Sequence, residues 1–113
     1  MKRKIIAFGQ YYKEFMASLN DKERLKIKYI LSLLETNDRL PIKFIKLIKD
    51  GLYELRIEYS SNIYRIFFIF DDYKIVVLFN GFQKKTQKTP KNEINKAFKI
   101  KEAYYEYKRQ HDN

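Results

Sequence analysis

The sequence predicts an α+β domain built on one mainly antiparallel sheet, and three observations carry that reading. The apolar period is helical between Asn20 and Thr36 and becomes two from Leu52 onward. Runs rich in β-branched and aromatic residues then follow one another, separated by the turn signals Ser60-Ser61 and Asp71-Asp72. A second helical pattern closes the chain behind Thr89-Pro90. The 113 residues suit one domain with one modest core, so residues 1–113 are read as a single domain.

Taken in order, Lys4 to Phe8 reads as a short strand. Gln10 to Ser18 reads as a helix, with Tyr12, Phe15, Met16 and Leu19 on one side. In NDKERLKIKYILSLLE, Asn20 is an N-cap and Glu23 completes a capping box. Leu25, Ile27, Tyr29, Ile30, Leu33 and Leu34 recur behind it at helical spacing. Pro41 opens a connector carrying Lys43, Lys46 and Lys49. Strands are expected over Leu52 to Tyr59, Asn62 to Phe70 and Tyr73 to Phe82. Thr89 is expected to cap a last helix from Pro90 to Tyr107. The predicted order is β-α-α-β-β-β-α.

Composition narrows the function. Lys and Arg number 24 against 14 acids, a net charge of +10. A polyanionic partner would offset the self-repulsion that such charge imposes on a small domain. With no cysteine there is neither a disulfide framework nor a thiolate metal site. There is no His/Cys ligand spacing, Walker loop, GxGxxG or GxSxG, so neither a metal nor a cofactor is expected. The apolar run in MKRKIIAFGQ is too short for a signal-peptide core, and no stretch is long enough to span a bilayer. A soluble, cytoplasmic protein is the expectation.

Two-residue turns in both hairpins place Arg56 opposite Arg65, and Phe68 opposite Ile75. One face then carries Tyr53, Leu55, Ile57, Tyr64, Ile66, Phe68, Tyr73, Ile75, Val77 and Phe79, with no charged residue, and is expected to be the core. The other holds Glu54, Arg56, Glu58, Arg65, Phe67, Val76, Leu78 and Phe82, and is expected to be open. Opposed guanidiniums cost stability unless something bridges them. A phosphate would do so, since the planar fork matches its oxygens; Glu54 and Glu58 are the alternative partners. The stretch GFQKKTQKTP brings Lys84, Lys85, Gln87 and Lys88 to the mouth of this face, and Lys46 and Lys49 flank it. Phe82 is placed to stack on a base. RNA supplies its own nucleophile, the 2′-OH. Arg56 and Arg65 would stabilise the developing charge, and a lysine with a depressed pKa (Lys84, Lys85, Lys46 or Lys49) would move a proton, with Glu54 as a competing base.

The segments LYELR (Leu52 to Arg56), YRIFF (Tyr64 to Phe68) and VLFNGFQKKTQKTPKNEINKA (Val77 to Ala97) resemble the RelE/ParE superfamily, in particular its HigB-type, phage-derived branch. The resemblance covers about residues 5 to 108. It implies a small microbial-ribonuclease-like fold and a ribosome-dependent mRNA endonuclease that enters the A site. A cognate helix-turn-helix antitoxin is the implied partner. By position Arg56 and Arg65 match the family's sheet arginines, and Lys84 or Lys85 its basic position after the third strand. The family's C-terminal tyrosine, or histidine and aspartate, has no clear counterpart, although His111 and Asp112 stand in the tail. The Glu/His pair of another branch is missing, which leaves the general acid and base open. The alternative function is a non-catalytic basic module of the same fold that poisons a protein such as gyrase, as ParE-type relatives do, or simply binds nucleic acid.

Overall fold

In the computed structural model, which describes residues 2–85 and 88–111, the chain begins with β1 (Lys4–Ala7), α1 (Tyr11–Ala17) and α2 (Asp21–Thr36). A 3-10 turn at Ile42–Phe44 leads into β2 (Ile45–Lys49), β3 (Leu52–Tyr59), β4 (Asn62–Asp71) and β5 (Ile75–Lys84), and α3 (Lys91–His111) follows. The sheet order is β1-β5-β4-β3-β2. β1 runs parallel to β5, and the other pairings are antiparallel. The α+β class and mainly antiparallel sheet follow the sequence reading. β2 does not: the segment read as a connector pairs with β3, Lys46 opposite Glu54.

The capping box at the start of α2 is formed in both directions, Asn20 Oδ1 accepting from the Glu23 amide at 2.9 Å and Glu23 Oε1 from the Asn20 amide at 2.8 Å. Glu23 Oε2 also accepts from the buried Tyr64 hydroxyl of β4, which fastens the helix start to the sheet. Burial, then this bond, pushes the Tyr64 pKa up to about 12.

Helices cover both faces of the sheet. On one, Phe15 and Met16 of α1 and Ile27, Ile30 and Leu34 of α2 pack on Leu55, Ile57, Tyr64, Ile66, Phe68, Val76 and Leu78. On the other, Ala97, Ile100 and Tyr104 of α3 pack on Leu52, Phe67, Ile69, Val77 and Phe79. The face expected to be open is thus half covered. α3 starts beside β5, where Asn80 Nδ2 donates to Glu93 O at 3.2 Å. It ends beyond the β4–β5 turn, where the Tyr104 hydroxyl and Lys108 Nζ donate to Asp71 Oδ2. The rest of that face, toward Ser60 and Ser61, is left without a helix.

The first hairpin keeps the expected register. Ser60 and Ser61 take φ of +52° and +69°, the type I′ geometry of a two-residue turn, and Arg56 faces Arg65. The second hairpin corrects the sequence reading. Asp71 pairs with Ile75 and Phe68 with Leu78, so the loop is Asp72-Tyr73-Lys74 and the register is displaced by three residues. That odd displacement moves Val76 and Leu78 to the face under α1 and α2, and Ile75, Val77 and Phe79 to the face under α3. Tyr73, expected in the core, is 89% exposed in the loop. Phe67, placed by parity on the face expected to be open, is buried among Val77 and Phe79.

A β-bulge between Ile66 and Phe68 then adds one residue to β5, bringing Phe82 opposite Arg65 and Lys84 opposite Ile63. The bulge therefore restores the expected side for Phe82 and Lys84. Gly81 sits in it beneath α1: a Cβ there would lie 2.6 Å from Cδ2 of Phe15. Among the described residues no helix is long and apolar enough to cross a membrane. Gly81→Ala is expected to destabilise the fold by ~1–3 kcal/mol through overpacking, with Phe15→Leu recovering part of the loss. Urea unfolding checks both, and an unchanged midpoint for Gly81→Ala would contradict the packing.

Candidate nucleic-acid interface

The two arginines share a face but not an environment. Arg56 is exposed, whereas Arg65 is 3% exposed and Glu54 beside it 2%. A buried guanidinium needs a counter-charge. Glu54 supplies it, with Oε1 3.4 Å from Arg65 Nε. Nη1 of Arg65 donates to its neighbour's carbonyl, Tyr64 O, at 3.0 Å. Nε makes no hydrogen bond despite its burial, and Nη2 has no partner among the described residues. Burial pulls the Arg65 pKa down, Glu54 pulls it back up and Arg56 lowers it further. The group stays charged, because an arginine starts so far above neutrality. The opposed like charges are therefore relieved in two ways, by Glu54 for Arg65 and by solvent for Arg56.

Lys84, at the end of β5, joins this cluster. Its amine is held below the ordinary lysine range, first by burial and then by Arg65, with Arg56 and Lys46 adding to the effect and Glu54 opposing it. Lys46 reaches the same face through its pairing with Glu54. Phe82 lies between, its ring stacked on Phe67 at 5.9 Å and 23°.

Because β2 pairs with β3 only as far as Ile45 opposite Leu55, the edge of β3 from Arg56 onward is unpaired. A groove of about 480 Å³ lies there, lined by Arg56, Glu58 and Arg65 with Lys26 and Ile30 of α2 and Lys43 and Phe44 of the 3-10 turn. It holds four cations against one acid. β1 likewise releases β5 after Leu78. A second groove opens there, where Lys85 and Lys96 stand near Tyr11, Glu14 and Phe82. The free edge of β3 lies at the end of the sheet that α3 does not cover, whereas that of β5 begins beside the start of α3, whose Lys96 lines the second groove.

The other expected residues are distributed differently. Lys85 lines the second groove rather than the first. Lys49 pairs with Leu52, at the end of β3 away from Arg56. Lys88 is exposed at a bend just before Thr89, and Gln87 lies outside the described residues. Thr89 does not cap α3. Pro90 O accepts from the amide of Ile94 at 3.3 Å, and the Thr89 hydroxyl instead donates to Glu54 Oε1 at 2.9 Å. His111 stacks on Tyr107 at 4.1 Å near the end of α3. Asp71, which holds Tyr104 and Lys108, is six positions along β4 from Arg65, or roughly 20 Å; His111 is therefore remote from the arginines. Asp112 lies outside the described residues. Lys26, Lys43 and Thr89 are contributions the sequence did not single out for the site. Among the described residues no group of His, Cys, Asp or Glu converges as a metal site.

The model of the family described as phage derived protein Gp49-like (DUF891) matches residues 14–102. The chain belongs to this family. It is the phage-derived, HigB-like branch of the RelE-type toxins that the LYELR, YRIFF and KKTQKTP segments resemble. A solved archaeal RelE–RelB complex from Pyrococcus horikoshii OT3 contains a chain similar to this Gp49-like protein, with a TM-score of 0.52 at 16% identity. The likeness covers 79% of this chain and 100% of that one, and it is a likeness of fold. None of the curated proteins matches the sequence.

Removing Arg65 strands Glu54 as a buried, uncompensated carboxylate. Arg65→Ala is expected to cost ~3–5 kcal/mol, while Arg56→Ala stays within ~0.5 kcal/mol of the parent. Denaturant unfolding distinguishes the two; equal losses would mean that the Glu54–Arg65 pair contributes nothing.

Proposed function

We propose that this protein is the toxin of a toxin–antitoxin pair and acts as a ribosome-dependent mRNA endoribonuclease that inhibits translation. The observation that carries the reading is the meeting of Arg56, Arg65 and a Lys84 amine of lowered pKa at one uncovered end of the sheet. Family membership supports it, and so does the RelE–RelB fold likeness. An antitoxin encoded beside the gene is the expected partner, and the cytoplasm the expected compartment.

The chemistry uses the RNA's own 2′-OH. Its oxygen attacks the adjacent phosphorus, the bond to the 5′-oxygen breaks, and the products are a 2′,3′-cyclic phosphate and a 5′-hydroxyl. Attack requires loss of the 2′-OH proton, and departure requires a proton on the 5′-oxygen. Lys84 is the group suited to moving a proton, because its depressed pKa makes the neutral amine accessible nearer neutrality. Glu54 is a poorer base: it is buried and already engaged by Arg65 and Thr89. Arg56 and the free Nη2 edge of Arg65 stabilise the charge that gathers on the phosphorane oxygens. Lys26, Lys43 and Lys46 hold flanking phosphates, and Phe82 offers a ring to a base. Two guanidiniums and one amine do not by themselves align the attacking oxygen with the leaving one. The ribosome supplies that alignment.

Primer extension on translated message tests the cut. The parent is expected to generate new 5′ ends. Arg56→Ala and Lys84→Arg, the latter keeping charge but losing a proton that can be given up, are each expected to lower cleavage by ~10²-fold or more. Cleavage at the parental rate by Lys84→Arg would remove Lys84 from proton transfer. Growth arrest without new ends would point to a poison of a protein target instead.

Ribosome binding should weaken steeply with salt, by roughly a thousandfold or more between about 50 and 200 mM if several phosphates are held. Sedimentation at graded salt reads this directly, and a flat response would contradict the basic groove.

A further inference from the structure

We propose that Glu54 and Thr89 form a clasp: two positioning residues that tie the chain just ahead of α3 to β3 and hold Arg65 with its outer edge turned to the groove. The proposal rests on the cleavage reading for its role in catalysis, but not for its physical test.

The geometry is specific. One carboxylate oxygen, Oε1 of Glu54, both accepts from the Thr89 hydroxyl at 2.9 Å and faces Arg65 Nε at 3.4 Å. Glu54 thus meets the guanidinium on its Nε side, and Nη1 is occupied by the Tyr64 carbonyl. The remaining Nη2 has no protein partner among the described residues, and Arg65 lines the groove. A carboxylate gripping both Nη atoms would have consumed the fork that phosphate needs. Thr89 is the residue at which the chain returns after leaving β5 at Lys84, one position before the proline at which α3 opens. Its hydroxyl does not bond the helix end it precedes and instead ties that return to β3.

The clasp also bears on Lys84. The charges acting on its amine come from Arg65 of β4, Arg56 and Glu54 of β3, and Lys46 of β2; burial is the largest influence, and Glu54 is the one that keeps the proton on. Two substitutions should therefore act in opposite senses. Glu54→Gln removes the anion and leaves the cations, so the Lys84 amine loses its proton more readily. Thr89→Val keeps the anion but removes the Thr89 tether to β3, so water reaches the amine and its pKa moves back toward the ordinary lysine value. Nonspecific loosening of the site would move both variants the same way, upward.

The experiment is heteronuclear NMR titration of the Lys84 side chain in the free protein, with no RNA present, for the parent, Glu54→Gln, Thr89→Val and Thr89→Ser. A downward shift in Glu54→Gln, an upward shift in Thr89→Val, each of ~0.5–1 unit, and a parental value in Thr89→Ser are expected. Equal or same-sign shifts overturn the clasp, as does a parental value in Thr89→Val. Should Glu54→Gln fail to fold, Thr89→Val against Thr89→Ser decides alone. Cleavage of translated message by the same set is the second arm. There Thr89→Val is expected to lose kcat about tenfold with KM little changed, and Thr89→Ser to restore it. Loss in both threonine variants, or in neither, overturns the positioning role. A parent that cuts no message sinks the proposed function while the titration still judges the clasp.

Discussion

A carboxylate buried inside a sheet face constrains everything near it, and Glu54 is that group. Taking one ion out of water costs several kcal/mol even after relaxation, so its neighbours are obliged to compensate. Arg65 sits within 3.4 Å and Thr89 donates at 2.9 Å. Lys46 is its cross-strand partner, and Lys84 feels its charge. The burial that makes Glu54 expensive is also what makes it directional, since the pair is shielded from salt and from rearranging solvent. Arg65 is held still by the arrangement, and Arg56 is left free. One guanidinium is preorganised and the other adaptable.

The covering of the sheet explains where this cluster can exist. α3 is anchored at Asn80 and at Asp71, so it shields the half of its face that holds Phe67, Ile69, Val77 and Phe79. The outer strands are four and five residues long and stop short of the same end. Buried Glu54 and Arg65 meet one another rather than an apolar helix face there, and the basic grooves open beside them. The bulge at Gly81 contributes by turning Phe82 and Lys84 toward Arg65.

Much of this was legible from residues alone, and the failures have physical causes. In the first hairpin each strand mixes Arg or Glu with apolar residues, so a one-residue slip would bury charge under α2; the register follows from that penalty. In β5 the run IVVLFN offers no such penalty, because a strand covered on both faces is apolar at every position. Alternation is absent there, and the three-residue loop and the bulge left no trace that periodicity detects. IKLIK, with a charge at every third position, does not display the period of a strand, and its pairing depends on Leu52 to Leu55 being available beside it. Thr89 before proline matches a helix cap in sequence, and only the proximity of a buried acid from a distant strand diverts its hydroxyl. The arginine pair was visible because it lies within one hairpin. Lys26 and Lys43 were not, because a surface lysine on a helix or turn looks the same wherever it points.

The two marginal strands carry Lys4, Lys46 and Lys49, all exposed. Bare strand borders invite pairing with another chain, and lysine there is a common deterrent. The same ammonium groups that suit a polyanion therefore also guard the molecule against stacking into sheets with its own copies. Shedding positive charge would erode colloidal stability, so a strongly basic composition serves this small fold whatever polyanion it meets.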